Sequence, residues 1–341
     1  NMAPQKMPIS STFIKDEAIT AGHAYGDFFQ DGTIAMVAAT NVFAGTNGNG
    51  STVAGRIYFF HSDGNGGWID QTDKILSPND RVGCISPRKV VVADFNGDKK
   101  PDAFIACHGI DGNIPAGFPI GEKPRYLLSQ ADGSYKNKQL DLNCYCHGAS
   151  AADFNNDGFA DVVLASPPVL ERVVYLKNNK DGTFSEHVNK FSSLYKKSIW
   201  GVEFLDVDSN GTFDLALNGG IKTGDSTWDY NARVILNIDN NGFNSSSEVL
   251  FPLDKENDTG WSDIIVKDGK VAVLKYYDTA PVEKWPDGTN KKDLYIEVYS
   301  YPTMSLIGST KVAPDKDTVW FTLYNGNIMN AFSINPYSVK F

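Results

Sequence analysis

The chain has 341 residues, of which 41% are hydrophobic and 12% aromatic, so it can bury a full-sized core and is expected to be globular. Its formal net charge of −10 predicts no binding to nucleic acid, because a polyanion is not attracted to an acidic surface. No apolar run reaches the roughly 18 residues of a membrane-spanning helix, so membrane insertion is not expected either. We expect residues 1–10 to be an irregular N-terminal segment or tag remnant and residues 11–341 to be a single domain.

An acidic nine-residue element recurs along the chain. It reads DFNGDKKPD at Asp94–Asp102, DFNNDGFAD at Asp153–Asp161 and DVDSNGTFD at Asp206–Asp214. The copies begin at positions 94, 153 and 206, which is a spacing of 59 and then 53 residues. An apolar run precedes and follows each copy, a pattern that predicts a strand, a tight acidic turn and a second strand.

A second shared element follows each acidic copy, at Leu128–Tyr135, Leu176–Phe184 and Leu236–Phe243. Each consists of an apolar run, a turn rich in Asp, Asn and Gly, and an aromatic residue that leads into another strand, which is typical of a β-hairpin. Every unit therefore has four predicted strands. Four-stranded units that recur every 50 to 60 residues without intervening amphipathic helices predict the blades of a β-propeller.

Degenerate copies extend the array at both ends. They lie at Gly26–Gly32 with a Tyr58–Trp68 hairpin, at Ile264–Leu274 with Leu294–Leu306, and at Thr318–Ile334. The expected fold is thus an all-β protein with a single propeller of six four-stranded blades, with seven blades as the alternative. The last unit is short of a strand, and an N-terminal strand at Ser11–Ile14 is expected to complete it and close the ring.

The acidic turns have the oxygen spacing of a calcium loop, with side-chain oxygens at positions 1, 3, 5 and 9 and a backbone carbonyl at position 7. One such turn would be weak evidence, but three copies in phase with a repeat predict three Ca²⁺ ions that hold the blade hairpins. In the first and fifth units Phe29 and Lys267 stand where oxygen ligands are needed, and the sixth unit also lacks a ligand set, so these units are expected to bind no ion. The alternative is a set of acidic hairpin turns without metal. The predicted ligands are Asp94, Asn96, Asp98, Lys100 and Asp102; Asp153, Asn155, Asp157, Phe159 and Asp161; and Asp206, Asp208, Asn210, Thr212 and Asp214.

These turns resemble the FG-GAP/VCBS repeat family, whose hallmark is D-F-N-G-D-G-x-x-D. The match is good at Asp94–Asp102 and Asp153–Asp161 and looser at Asp206–Asp214. The resemblance extends over roughly residues 88–250. It implies a β-propeller with calcium in the blade hairpins, as in integrin heads, lectins of the Psathyrella type and exported bacterial proteins, but it leaves function open.

A ligand-binding rim is predicted at the start of the innermost strands. Alignment of the units on the acidic turn places Arg88, His147, Trp200 and Trp261 at equivalent positions, and the loop after the second strand of one unit adds His108 and Asp111. Aromatic and polar side chains around one mouth of a central channel suit sugar stacking and hydrogen bonding. The alternative is that Trp200 and Trp261 only plug the axis.

The four cysteines also fall near this rim, at Cys84, Cys107, Cys144 and Cys146. An even number of clustered cysteines favours disulfides and an oxidising compartment, although three pairings are open and free thiols or a zinc site are alternatives. The sequence contains no H-E-x-x-H or G-x-S-x-G motif. We therefore expect a secreted or cell-surface lectin or adhesin whose partner is a carbohydrate, a glycoconjugate or a surface protein. A polysaccharide lyase or hydrolase with its site at the axial mouth is the alternative, and a scaffold is the third.

Overall fold

Antiparallel sheets account for nearly all of the regular structure in the computed structural model of this chain. The model describes residues 13, 17–42, 52–110, 114–167, 170–219, 230–236, 248–252, 261, 263–278, 281–283, 292–313, 321–325, 327–330 and 333–338. Within these residues five sheets have four strands and one has three, and in every sheet the strands are hydrogen-bonded in chain order. The all-β propeller architecture with four-stranded blades is therefore confirmed.

We number the four-stranded sheets as blades 1 to 5. Blade 1 contains β1 (Glu17–Gly26), β2 (Ala35–Val42), β3 (Ala54–Ser62) and β4 (Trp68–Asp70), and blade 2 contains β5 (Pro87–Ala93), β6 (Asp102–Cys107), β7 (Arg125–Ser129) and β8 (Tyr135–Gln139). Blade 3 contains β9 (Gly148–Ala152), β10 (Asp161–Ser166), β11 (Arg172–Asn178) and β12 (Phe184–Glu186). Blade 4 contains β13 (Ile199–Leu205), β14 (Asp214–Gly219), β15 (Arg233–Ile235) and β16 (Glu248–Leu250). Blade 5 contains β17 (Asp263–Lys267), β18 (Lys270–Asp278), β19 (Lys292–Ser300) and β20 (Ser305–Ala313).

The sixth sheet consists of β21 (Phe321–Tyr324), β22 (Asn327–Asn330) and β23 (Ser333–Ser338). The predicted count of six or seven four-stranded blades is thus wrong for the described residues, which form five such blades and one sheet of three strands. Residues 321–338 provide length for only three short strands. Of the strand predicted at Ser11–Ile14 only Phe13 is described, where it packs its ring 4.6 Å from that of Tyr58.

The second strand of each blade is the most buried. All six residues of β6 and all six of β10 are buried, because the neighbouring blades cover both faces of these strands. This explains the continuous apolar runs after the acidic turns, which a strand with one solvated face would not show. The cores lie between successive sheets, as where Phe59 of blade 1 packs with Val90 and Leu127 of blade 2.

The first strands of the sheets follow one another as neighbours. β1 contacts β5, β5 contacts β9, β9 contacts β13 and β13 contacts β17. The sixth sheet contacts both ends of this series, since β21 touches β17 and β1. The short helical segments of the described residues lie between blades, at α1 (Thr72–Ile75) and in 3₁₀ turns at Pro78–Asp80 and Ser192–Leu194. Among the described residues, no helix has the length and apolarity needed to cross a membrane.

Candidate functional site

The turns between the first two strands of blades 1 to 4 share one backbone conformation. In each turn the fourth and sixth residues have a positive φ of between 55° and 88°. A side chain other than glycine resists this left-handed region, so its recurrence at the same two positions shows that the four turns are copies of one structure. The residues are Gln30 and Gly32, Gly97 and Lys99, Asn156 and Gly158, and Ser209 and Gly211.

The first Asp of every turn fastens its own loop. Asp27 accepts the N–H groups of Asp31 at 3.0 Å and Gly32 at 2.9 Å. Asp206 accepts those of Asn210 and Gly211 at the same two distances, although it lies in blade 4. The acidic residue at position 1 therefore has a structural role in all four turns, whether or not an ion is bound there.

The ninth residue distinguishes the turns. In blades 2, 3 and 4 it is an Asp with no exposed surface, whereas blade 1 has Ala35 at this position. Asp102 accepts hydrogen bonds from the N–H groups of Phe95 and Ser129, both at 2.7 Å, but burial outweighs these bonds and raises the pKa of Asp102 to about 6. A buried carboxylate of this kind is stabilised by a nearby cation.

Blade 4 has the most compact set of carboxylates. Oxygen atoms of Asp206, Asp208 and Asp214 all lie within 4.8 Å of one another. A donor set made only of oxygen atoms suits a hard cation such as Ca²⁺. In the other two turns, ammonium groups lie 3.8 Å (Lys100) and 3.4 Å (Lys180) from the fifth-position carboxylates of Asp98 and Asp157.

The predicted seventh-position ligands are held by the turns themselves. Lys100 donates its N–H to Asp98 at 3.0 Å, Phe159 donates to Asp157 at 3.2 Å, and Thr212 donates to Asn210 at 2.8 Å. These bonds fix the peptide at position 7 close to the side chain at position 5. The third-position residues are held similarly, as where Asn96 accepts the N–H of Asp98 at 3.0 Å.

Neighbouring turns also touch. Asn178 of blade 3 donates to the carbonyl oxygen of Phe95 in the blade 2 turn at 2.8 Å. A Cβ atom added to Gly97 would lie 2.7 Å from the ring of Phe159, which belongs to the blade 3 turn. The acidic turns of blades 2 and 3 thus form one continuous surface at the end of the sheets where the first strands finish.

The opposite end, where the first strands begin, carries a row of rings. His108 follows β6 and contacts Tyr145, and it lies 5.5 Å from His147, measured between ring centroids. His147 in turn lies 5.0 Å from Trp200 at the start of β13, with the two rings nearly perpendicular. The structure therefore brings three predicted rim residues from blades 2, 3 and 4 together. Sequence reasoning missed the fourth ring, Tyr145, whose only signal was its place between two cysteines.

The other predicted rim residues differ in their placement. Arg88 lies in β5. Burial of His108 and, to a smaller extent, the positive charge of Arg88 lower the pKa of His108 to about 3, so this imidazole is neutral. Trp261 is only 5% exposed and packs in the core between blades 4 and 5 with Val207 and Phe251. Asp111 lies outside the described residues.

Two disulfides support this end of the protein. Cys84 pairs with Cys107, which joins the loop before β5 to the end of β6, and Cys144 pairs with Cys146. All four cysteines are fully buried. The prediction of disulfides is confirmed, and since the sulfur atoms are paired they are not zinc ligands. The carboxylate of Glu122 accepts the N–H of Ile85 at 2.8 Å beside this pair, and burial raises its pKa to about 7.

These features define a class of protein: an all-β propeller with acidic, calcium-loop-like turns at one end of its blades. A family model for the FG-GAP-like repeat matches residues 153–217. This match covers the acidic turns of blades 3 and 4 and agrees with the FG-GAP resemblance that the turn sequences predicted.

A curated relative and two solved structures are similar to this chain. Integrin alpha-4 of Xenopus laevis is 28% identical over 178 residues, which cover 47% of this chain but only 16% of the relative. The V. cholerae biofilm matrix protein Bap1 has a TM-score of 0.41 at 14% identity, covering 90% of this chain and 42% of Bap1. The exotype rhamnogalacturonan lyase YesX has a TM-score of 0.42 at 12% identity, covering 86% of this chain and 49% of YesX.

Proposed function

We propose that this chain is an extracellular binding module, stabilised by calcium, that recognises a carbohydrate or glycoconjugate at the rim where its first strands begin. The observation that carries the proposal is the row of rings His108, Tyr145, His147 and Trp200 beside the guanidinium of Arg88. Flat rings stack on the apolar faces of sugars, while imidazole and guanidinium groups hydrogen-bond to hydroxyls.

Exposure also favours this row as the contact surface. Arg88, Tyr145, His147 and Trp200 are each partly exposed, which leaves surface for a ligand without exposing a large apolar patch. Trp200 is oriented by a hydrogen bond of 2.9 Å from its indole N–H to Ser198, so its ring plane is fixed before a ligand binds. Fixed rings bind a sugar at a lower entropic cost than mobile ones. Trp261 would support this binding surface from the core behind it, and Asp111 would add a carboxylate to the binding surface.

Three calcium ions are proposed in the acidic turns of blades 2, 3 and 4. The supporting observation is that three turns with one backbone conformation each supply several oxygen donors. In this scheme the ions hold hairpins together and do not touch the ligand. β5 has seven residues, and at about 3.3 Å per residue the rim and the turns lie roughly 20 Å apart.

We further propose that the six sheets close into a ring and that the protein acts outside the cell. Closure is supported by the contacts of β21 with both β17 and β1, and by Tyr324, whose ring lies 5.9 Å from that of Tyr25. A closed ring leaves no long sheet edge exposed. An extracellular location is supported by the two disulfides, which persist in oxidising compartments, and by the partial likeness to an integrin chain.

A glycan array with and without a chelator tests the proposal. We expect binding to a defined glycan in calcium, with loss of at least tenfold in affinity for Trp200→Ala and little change for Trp68→Ala, a tryptophan of blade 1 far from the rim in sequence. Folded protein that binds no glycan would contradict the lectin proposal and favour a protein partner. Release of product from a polysaccharide, abolished by His147→Ala, would instead support the lyase or hydrolase alternative.

A further inference from the structure

The blade 1 turn has the backbone of the other acidic turns but not their ligands. Phe29 takes the third position and Ala35 the ninth, so only Asp27 and Asp31 remain as carboxylates. The side chain of Asp27 is already engaged with two backbone N–H groups. The carboxylate of Asp31 is therefore left at the centre of a turn that cannot form a six-oxygen site.

Asp31 has a partner on the third strand of its own blade. The Nε2 atom of His61 lies 2.6 Å from Oδ2 of Asp31, and its Nδ1 atom lies 2.7 Å from the carbonyl oxygen of Ser62. A carbonyl oxygen only accepts hydrogen bonds, and so does an ionised carboxylate. Both ring nitrogens of His61 must therefore carry a proton, which makes the ring an imidazolium.

The remaining contacts agree with this charge. Thr33 donates its hydroxyl proton to Oδ1 of Asp31, and its Oγ1 atom lies 2.8 Å from Nε2 of His61 as a second acceptor. Phe29 packs its ring edge-on at 5.1 Å from the imidazole. Phe29, which stands where the other turns have an oxygen side chain, therefore covers the imidazole of His61.

We propose that the imidazolium of His61 is a built-in cation of the blade 1 turn, in the role that a divalent ion is proposed to have in the turns of blades 2, 3 and 4. The turn of blade 1 is then stabilised by a protonated histidine, and the turns of blades 2, 3 and 4 by the proposed calcium ions. The inference rests on the contacts of His61 and not on the proposed ligand, so it stands or falls independently of glycan binding.

Lysines near the other turns do not have the same role. Lys100 belongs to its own turn, and Lys180 is 48% exposed, with its ammonium 3.4 Å from the carboxylate and 3.3 Å from the carbonyl oxygen of Asp157. Such long side chains can swing away when an ion binds. His61 lies in β3, is 17% exposed and bonds through both ring nitrogens, so its short side chain leaves the carboxylate only by breaking both of these bonds.

Among the described residues, few other charges face His61. Its partners across the sheet, Ala35 on β2 and Ile69 on β4, are apolar, and the ammonium of Lys74 on α1 opposes its charge. Burial also opposes it, but the Ser62 carbonyl and the Asp31 carboxylate outweigh both and raise the pKa of His61. Because the folded pKa is the higher one, this contribution to stability is complete below about pH 6.5 and is lost as the pH rises through the folded value.

The test is an NMR titration of protein labelled with ¹⁵N in its five histidines, with His61 assigned from His61→Gln. At pH 6 we expect both nitrogens of His61 to be protonated. Asp31→Asn should lower the titration midpoint of His61 by about one pH unit, the usual effect of losing an adjacent opposite charge. Asp268→Asn is the matched control, because it removes a carboxylate from the equivalent turn of blade 5 and should leave the titration midpoint of His61 unchanged. Asp268 has a φ of 51°, which Asn tolerates.

The outcomes are decisive in either direction. An unprotonated Nδ1 or Nε2 at pH 6, or one midpoint shared by wild type and Asp31→Asn, overturns the proposal. A midpoint that falls when calcium is added overturns it as well, because the turn then holds a metal ion. If Asp31→Asn does not fold, the protonation state of the wild-type ring still decides the question.

Discussion

Lys89 and Asp263 form an ion pair of 3.0 Å although 174 residues separate them in the chain. They lie on the first strands of blades 2 and 5, and Glu203 on the first strand of blade 4 is close enough to act on the same ammonium. Burial opposes the charge of Lys89, but the carboxylates of Asp263 and Glu203 outweigh it and raise its pKa. The first strands of blades 2 and 5, which are not adjacent, are therefore joined by an ion pair in addition to any apolar packing.

Lys89→Met should destabilise the protein by about 3 kcal/mol, because it leaves Asp263 buried without its counter-ion. Urea unfolding measures this, with Lys177→Met on β11 as the control. Adding Asp263→Asn to Lys89→Met should recover part of the loss, since the stranded charge is then removed. Equal unfolding midpoints for Lys89→Met and Lys177→Met would show that the pair adds no stability and that the first strands are less closely apposed.

The contact between the turns of blades 2 and 3 gives a second prediction. Gly97 and Gly158 both have a positive φ, of 80° and 88°, so an added methyl group costs each about 1 kcal/mol. Gly158 has open space around it, whereas a methyl group on Gly97 would overlap the ring of Phe159. Gly97→Ala should therefore be the more destabilising by a further 1 to 3 kcal/mol or so, a typical cost of overpacking.

Denaturant unfolding of the two variants decides this. If Phe159 is the obstacle, Phe159→Ala should make the added cost of Gly97→Ala disappear in the double variant. Equal costs for the two glycine substitutions, with no coupling to Phe159, would mean that neighbouring turns do not pack as a continuous surface.

Calcium stoichiometry provides a third prediction. Isothermal titration of stripped protein should give three ions per chain, and Asp206→Asn should give two. Asp27→Asn is the control, because Asp27 has the same hydrogen bonds in a turn for which no ion is proposed. With calcium at about 100 times its Kd, each site should add roughly 2.7 kcal/mol to stability. Three ions in Asp206→Asn, or none in the wild type, would contradict the proposed ligand sets.

The acidic turns could be predicted from sequence because their residues are local. Asp94 and Asp102 lie in one nine-residue loop, and their spacing alone indicates oxygen ligands and a hairpin. The pairing of His61 with Asp31 also lies within one blade, but it depends on strand register, which no spacing reveals. The pair Lys89 and Asp263 depends on how distant blades approach each other, so nothing in the chain between them indicated it.

The rim shows the same division between local pattern and tertiary placement. Alignment of the repeats located Arg88, His147 and Trp200 at the start of the inner strands, and the contact of His147 with Trp200 follows from that alignment. The alignment gave Trp261 the same position, yet its ring turns into the core between two blades. Repeat position specifies where a backbone lies, whereas the direction of a side chain depends on what space its neighbours leave.

The last prediction concerns pH and Glu122. Burial raises the pKa of Glu122 to about 7 from an ordinary 4.5, even though the N–H of Ile85 and the charge of Arg125 act in the other direction. Between these two values the folded protein retains a proton that the unfolded chain has lost, so this residue makes stability fall as the pH rises from about 4.5 to about 7. Glu122→Gln should remove this fall, worth on the order of 2 kcal/mol, when urea midpoints are compared at pH 5 and pH 8.

Glu283→Gln, on an exposed segment, should change the pH profile little. A Glu122→Gln profile parallel to that of the wild type would mean that Glu122 is ionised beside the Cys84–Cys107 disulfide, where its negative charge would face the guanidinium of Arg125.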